Sequence, residues 1–190
     1  MKKRHRIFIA INLPNNIKKQ LNLYKDKWQD IPAKWTNLDN MHITLEFLGD
    51  ITSEELVEVC MAVKEVASKY KSFSINLNKI IYGPPQKMPP KIVWVKGEKS
   101  DELAELKHDL QEYLLEKVSY RPESREFTPH ITLARINEWQ FKSIEPEERP
   151  EINEYIDFII PVESIEVMES ELKRGRLVYT ILESHNLLNY

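Results

Sequence analysis

One tetrapeptide, HITL, occurs twice in this chain, at residues 42–45 and again at residues 130–133. The two copies lie 88 positions apart, close to half of the 190 residues, and the chain contains only five histidines. A match of this kind in a shuffled sequence has a probability on the order of one in ten thousand, so the false-positive risk of a short motif is low here. The repeat predicts a chain built from two related halves.

The spacing inside each copy assigns its residues to two faces. On a strand, residues i and i+2 point the same way, so His42 and Thr44 share a face, and so do His130 and Thr132. A twofold relation between the halves would make the two pairs face each other across a groove. Two imidazoles near their ordinary pKa can serve as general base and general acid. Threonine hydroxyls can donate hydrogen bonds to a phosphoryl oxygen. The repeat therefore predicts a site for phosphoryl transfer without a metal.

Hydrophobic periodicity places the repeat in an α+β chain with several antiparallel strands. Strands are predicted over residues 6–13, 41–48, 73–82, 91–96 and about 128–135. Helices are predicted from Pro14 to about Trp28, from a capping box of Thr52 and Glu55 to about Lys69, and over residues 101–118. A final set of strands follows a charged loop at residues 145–150. It ends in a hairpin, residues 166–172 and 177–182, that turns at residues 173–176.

Composition excludes several classes of protein. With 27 Lys+Arg against 30 Asp+Glu the net charge is −3, which argues against a protein that coats long nucleic acid but allows a local pocket for one or two phosphates. The four glycines form neither a dinucleotide-binding fingerprint nor a P-loop. The single cysteine, Cys60, excludes a disulfide framework and a multi-cysteine metal site.

Neither a targeting segment nor a membrane span is evident. The basic N-terminus is followed by an apolar run, residues 7–13, that Asn12 interrupts and Pro14 ends, which is too short for a signal sequence. No stretch approaches the ~20 apolar residues that cross a bilayer. We expect a soluble, cytoplasmic monomer with no membrane partner.

Three further residues are candidates for substrate binding. Phe8 lies on the strand face opposite the isoleucines of residues 7–11, where it would stack a nucleobase or else pack beneath a helix. Arg125 and Arg135 flank the second HITL copy, and either could hold a phosphate with two hydrogen bonds. Arg135 has the opposite strand parity to His130, so it reaches the groove only if the strand ends or bulges there.

No metal site is predicted. Neither an H-E-x-x-H helix nor a cysteine cluster is present. Glu46 shares the expected face of His42, but the matching position in the second copy is Ala134, so a symmetric carboxylate pair for two metals is absent. We expect neither a metal nor a cofactor.

The segments around both HITL copies resemble one family. They are RIFIAI at residues 6–11, NMHITLEFLGD at 40–50, FTPHITLAR at 127–135 and MESEL at 168–172. These segments are similar to those of the RNA 2′,3′-cyclic phosphodiesterases, formerly called 2′-5′ RNA ligases, of the two-histidine phosphoesterase superfamily. The likeness runs over nearly the whole chain. It implies a bilobal fold over residues 1–190, one catalytic domain, in which two pseudo-twofold-related antiparallel sheets line a central groove, helices lie outside, and segments swap between the lobes.

The resemblance also implies an activity. The expected reaction is hydrolysis of 2′,3′-cyclic phosphates, at RNA ends or on small nucleotides, to 2′-phosphomonoesters. In the family His42 would donate a proton and His130 would accept one, with Thr44 and Thr132 on the phosphate. Two alternatives stay open: joining of a cyclic phosphate to a 5′-hydroxyl end through a 2′-5′ linkage, and an RNA or nucleotide-binding module without turnover. The mark of the last would be loss of a motif His or Thr, and none is lost.

Overall fold

A computed structural model describes residues 3–85, 87–123 and 127–189, so the predicted contact Arg125 lies outside the described residues. Within these ranges the chain forms two antiparallel sheets and five α-helices. The strands are β1 (Arg4–Asn12), β2 (Ala33–Trp35), β3 (His42–Thr52), β4 (Phe73–Gly83), β5 (Ile92–Gly97), β6 (His130–Ile136), β7 (Asn153–Val162), β8 (Ser164–Lys173) and β9 (Arg176–Asn186). The helices are α1 (Asn15–Asn22), α2 (Tyr24–Lys27), α3 (Ser53–Ala67), α4 (Asp101–Lys117) and α5 (Glu138–Lys142).

The strand order shows how the two halves are interleaved. The first sheet has the order β3-β1-β8-β9, and the second has the order β2-β6-β5-β4-β7. Strand β4 comes from the first half of the chain but pairs with β5 and β7 in the second sheet, whereas β8 and β9 come from the second half and complete the first sheet. The bilobal α+β fold is confirmed, and so is the predicted exchange of segments between the lobes.

One face of each sheet packs against helices, which leaves the other face for the groove. Helix α3 buries Val59, Val63 and Val66 in the same apolar cluster as Ile7 and Ile9 of β1. The leucine stripe of α4 joins that cluster too. The opposite face of β1 instead forms a small separate cluster with β8. Among the described residues no helix is long and apolar enough to cross a bilayer.

Local irregularities account for most differences from the predicted elements. The predicted helix over residues 14–28 is two helices, because the N–H of Leu23 bonds to Gln20 in a tighter turn at the end of α1. Strand β2 and helix α5 are three and five residues long, too short to show a periodic pattern. The hairpin is longer than predicted, and it turns through Arg174 and Gly175, both of which have positive φ.

The predicted capping box at the start of α3 is confirmed. The Thr52 hydroxyl accepts a hydrogen bond from the Glu55 N–H at 3.2 Å, and the Glu55 carboxylate accepts one from the Thr52 N–H at 2.7 Å. Two N–H groups that would otherwise lack partners at the helix end are thereby satisfied. The cap fixes the point at which the chain leaves β3 and enters the helix behind the first sheet.

Removing the Thr52 hydroxyl should destabilise the protein without changing its fold. We expect Thr52→Ala to lower the free energy of unfolding by about 1 kcal/mol, because one helix N–H loses its acceptor. Thr52→Ser keeps the hydroxyl and should retain most of the stability. Urea unfolding followed by circular dichroism measures both, and equal midpoints for wild type and Thr52→Ala would contradict the assigned cap.

Candidate active site

The two HITL copies lie on the two strands where the sheets meet. Strand β3 of the first sheet contacts β6 of the second, and each begins at its motif histidine. The first seven residues of both strands have the same alternation of half-buried, buried and exposed positions. His42 and His130 are half-buried and close enough that the charge of His130 affects the pKa of His42. The structure therefore brings both histidines to one groove.

A β-bulge follows the motif in both strands. On β3 the pairing with β1 skips Leu45, and on β6 the pairing with β5 skips Leu133. An extra residue in one strand shifts every later side chain to the opposite face. Arg135 is thereby turned to the groove side of β6. In a regular strand it would lie on the face opposite to His130, so it reaches the groove only because of the bulge. Arg135 is exposed, and its charge lowers the pKa of His42.

The same bulge corrects the prediction for Glu46. Strict alternation places Glu46 on the face of His42, but after the bulge at Leu45 it points to the helix side and is 3% exposed. Its carboxylate accepts hydrogen bonds from Lys107 Nζ at 2.6 Å and Gln111 Nε2 at 2.8 Å, both on α4. Glu46 therefore ties β3 to α4. Among the described residues no three His, Cys, Asp or Glu side chains are grouped to hold a metal ion.

Each catalytic candidate histidine is oriented by its own backbone. His42 Nδ1 lies 2.8 Å from the carbonyl oxygen of Asn40, and His130 Nδ1 lies 2.9 Å from that of Thr128. Because a carbonyl oxygen only accepts, Nδ1 carries the hydrogen in both rings, and Nε2 is left as the reacting nitrogen. His42 Nε2 is 3.0 Å from the Thr44 hydroxyl, which donates to it when the ring is neutral.

Aromatic rings hold both imidazoles in place. Phe8 packs against His42 with ring centroids 4.9 Å apart, and Tyr179 meets the same imidazole edge-on at 5.3 Å. On the second sheet, the Trp94 centroid is 4.6 Å from that of His130. Phe8 lies on the predicted face, but it is only 2% exposed, so the prediction that it stacks a nucleobase is wrong. The groove side of β1 is covered by neighbouring rings, and Phe8 supports His42 instead.

An exposed aromatic ring on this side of the groove is Phe47, which the sequence argument missed. It lies directly opposite Phe8 on β3, with ring centroids 5.9 Å apart, and it is 64% exposed. Phe47 precedes Arg135 by the same 88 positions that separate the histidines. Aligning the two halves beyond the tetrapeptide would have placed Phe47 and Arg135 at equivalent positions and identified both as candidates for the groove.

Burial lowers the pKa of both histidines. The pKa of His42 is lowered from 6.5 to about 4, and loss of solvation is the largest cause. The bond to Asn40 opposes this shift, while the charges of Lys18, His130 and Arg135 contribute to it. The pKa of His130 is lowered as well, mainly by burial, although its bond to Thr128 and the charge of Glu123 act in the opposite direction. Both imidazoles are therefore neutral at neutral pH in the free protein.

The fold and the paired His-Thr motifs define a two-histidine phosphoesterase. The family model for LigT-like phosphoesterases matches the chain twice, over residues 11–94 and 95–179. The chain belongs to this family and is an enzyme. The two matched halves divide the chain much as the HITL repeat does.

Similar proteins carry the name RNA 2′,3′-cyclic phosphodiesterase. One from Geobacillus stearothermophilus is 33% identical over 73% of this chain but only 43% of that protein, so the chain matches less than half of that relative's length. One from Thermotoga maritima is 29% identical over 93% of this chain and 92% of that protein. Among crystal structures, TT0787 of Thermus thermophilus matches with a TM-score of 0.83 and 27% identity over 97% of this chain and 98% of that one. E. coli LigT complexed with 3′-AMP has the same fold, with a TM-score of 0.76 and 24% identity over 97% and 99% of the two chains.

The lowered pKa of His42 should make stability depend on pH. The unfolded chain binds a proton at this ring below pH 6.5 and the folded chain only near pH 4, so the free energy of unfolding falls as the pH drops through this window. The full loss attributable to His42 is about 3 kcal/mol. We expect His42→Gln to have a shallower decline between pH 6.5 and 4, measured by urea unfolding at several pH values. Parallel curves for the two proteins would contradict the shift.

Proposed function

We propose that this enzyme hydrolyses 2′,3′-cyclic phosphates, at RNA ends or on nucleotides, to 2′-phosphomonoesters, using its two histidines and no metal. The observation that carries the proposal is the matched pair of imidazoles, each with Nδ1 bonded to a backbone carbonyl and each followed by a threonine on the same strand face. The names of the similar proteins from Geobacillus and Thermotoga support the choice of substrate. Because one chain supplies both histidines, we propose that it acts as a monomer.

The groove offers distinct contacts for the phosphate and for the nucleoside. The hydroxyls of Thr44 and Thr132 would donate to the non-bridging phosphate oxygens, and the Arg135 guanidinium would neutralise their charge. On the first sheet, the exposed ring of Phe47, which packs against Phe8, would take the terminal base in place of the buried Phe8. This arrangement leaves the second sheet free for the rest of the substrate.

The reaction requires one of the two imidazoles to be protonated, whereas both are neutral in the free enzyme at neutral pH. One neutral imidazole accepts a proton from water as its oxygen attacks phosphorus, and a protonated imidazole gives its proton to O3′ as the P–O3′ bond breaks. Since both pKa values are lowered in the free enzyme, the anionic substrate must raise one of them on binding. The family assignment makes His42 the donor and His130 the acceptor, and we adopt it as part of the proposal.

Ligation would use the same groups. A 5′-hydroxyl in place of water would give a 2′-5′ linkage, as microscopic reversibility allows. The far higher concentration of water favours hydrolysis, so we place ligation second. Incubation with both RNA ends, followed by a search for joined product, distinguishes the two directions.

Loss of either histidine should remove most of the activity. We expect His42→Ala and His130→Ala each to lower kcat for a 2′,3′-cyclic nucleotide by about 10²–10⁴-fold, since each ring moves one proton in the transition state. The double variant should be scarcely slower than the slower single variant, because the two rings act as a unit. Assays after exhaustive chelation should give the wild-type rate. Turnover near wild type in either single variant, or loss on chelation with recovery on adding a divalent ion, would contradict the mechanism.

The threonines should act on the transition state rather than on binding alone. Thr44→Val and Thr132→Val keep the branched strand side chain and remove the hydroxyl, so each should lower kcat by about 10²–10³-fold with a smaller rise in KM. Steady-state kinetics on a cyclic nucleotide separate the two parameters. A rise in KM at constant kcat would show that the hydroxyls bind the ground state only. Thr→Ser at either position is the control, since it restores the donor.

A further inference from the structure

A row of side chains crosses the second sheet from the active site to its far edge. Lys96 on β5 lies directly opposite His130, and Lys79 on β4 lies directly opposite Lys96. Tyr155 on β7 lies directly opposite Lys79. Residues that face each other in an antiparallel pair point to the same side of the sheet. His130 and these three side chains therefore form one line on the groove side.

Burial and contacts confirm this placement. Val95 and Ile80, the strand neighbours of Lys96 and Lys79, are fully buried on the helix side, so the two lysines point to the groove side. Tyr155 is 77% exposed, and Lys79 Nζ lies 4.6 Å from the centroid of its ring. With strands about 4.8 Å apart, the row carries two ammonium groups and an aromatic ring over roughly 14 Å beyond His130.

Within the described part of the chain, the first sheet has no equivalent row of lysines leading away from His42. The residue opposite His42 on β1 is Asn12, at the place that Lys96 occupies opposite His130. Next to Phe8 on that sheet the paired residues are apolar, Phe47 on one side and Met168 on the other. One position along, Ala10 pairs with Thr44 and with the buried carboxylate of Glu166. The first wall of the groove thus combines aromatic rings with Asn12 and the buried Glu166, and the second wall has two lysines in line with an aromatic residue at the end.

We propose that Lys96, Lys79 and Tyr155 bind the RNA chain on the 5′ side of the reacting phosphate, so that the preferred substrate is a single-stranded oligoribonucleotide end rather than a mononucleotide. The inference rests on the proposed function. Lysines neutralise successive phosphates of a single strand, and an exposed tyrosine stacks a base whatever its identity. Asp157, two positions after Tyr155, is also exposed, so the row of lysines ends next to an acidic side chain.

Apart from this row, a cationic recess lies at the C-terminal end of β6, away from His130. It has a volume of about 530 Å³, and its lining includes Lys87, Lys91 and Arg135 together with the carboxylate of Glu138. It shares Arg135 with the active site but is not in line with the row that starts at His130. A Lys91→Gln variant therefore tests the competing path for the RNA chain.

The test compares two substrates in matched variants. The substrates are uridine 2′,3′-cyclic phosphate and a short oligouridylate that ends in a 2′,3′-cyclic phosphate. We expect Lys79→Gln combined with Tyr155→Ser to lower kcat/KM about tenfold for the oligonucleotide, through KM, and to leave the mononucleotide unchanged. Removal of Lys79 alone should reduce the slope of log(kcat/KM) against log[salt] by about 0.7 for the oligonucleotide. Lys64→Gln, on α3 behind the first sheet, is the charge-matched control and should change neither substrate.

Three outcomes would overturn the proposal: equal losses for both substrates, no loss for either, or a selective loss in Lys91→Gln but not in Lys79→Gln. Equilibrium binding keeps the test separate from the proposed function. Fluorescence anisotropy with an oligouridylate that ends in a 2′-phosphate should show weaker binding to the Lys79 and Tyr155 variants than to wild type. If wild type hydrolyses neither substrate, the proposed function fails, and this binding comparison still decides whether the row binds RNA.

Discussion

The bulge that follows each histidine motif determines which side chains meet in the groove. A regular strand would turn Glu46 toward His42 and Arg135 away from His130. Because Leu45 and Leu133 have no partner on the adjacent strand, Glu46 is instead buried against Lys107, and Arg135 joins the groove. Without the bulge, a carboxylate would face the phosphate and a guanidinium would be buried among aliphatic side chains. The electrostatics of the site therefore depend on one extra residue in each of two strands.

The two halves share the strand-and-bulge backbone around the histidine motif but differ in the side chains around it. At equivalent positions after the bulge, the first half has Phe47 and the second has Arg135. At equivalent positions on the neighbouring strands, the first half has Asn12 and the second has Lys96. Repetition thus provides two imidazoles and two hydroxyls, which under the proposal would serve a phosphate that is nearly symmetric. Divergence of the surrounding residues makes the two walls of the groove different, which under the proposal would suit a nucleotide chain that is not symmetric.

The features that could be predicted from the sequence are those with a hydrophobic period or a short local motif. The strands, the long helices and the capping box of Thr52 follow from hydrophobic alternation and from known helix-start signals, and the repeat located the histidines and threonines. The exposure of Phe8 and the face of Glu46 were predicted wrongly. Alternation cannot show a bulge, and a strand face opposite the core can still be covered by neighbouring rings such as Tyr179. Strand β2 was missed because three residues are too few to show hydrophobic alternation. The row from His130 to Tyr155 was missed because it depends on the order of the strands in the sheet, which the sequence does not show.

At Nδ1, both imidazoles are bonded to a backbone carbonyl and not to a side chain. Each ring is fixed by a carbonyl oxygen two positions earlier in its own chain, that of Asn40 for His42 and that of Thr128 for His130. Many catalytic histidines are instead aligned by a separate carboxylate, whose replacement leaves the wrong tautomer. Here the tautomer is a property of backbone shape, so replacing the side chain at position 40 or 128 does not remove the acceptor. The orientation of both rings is therefore insensitive to single side-chain substitutions at these two positions, provided that the backbone where each strand begins keeps its conformation.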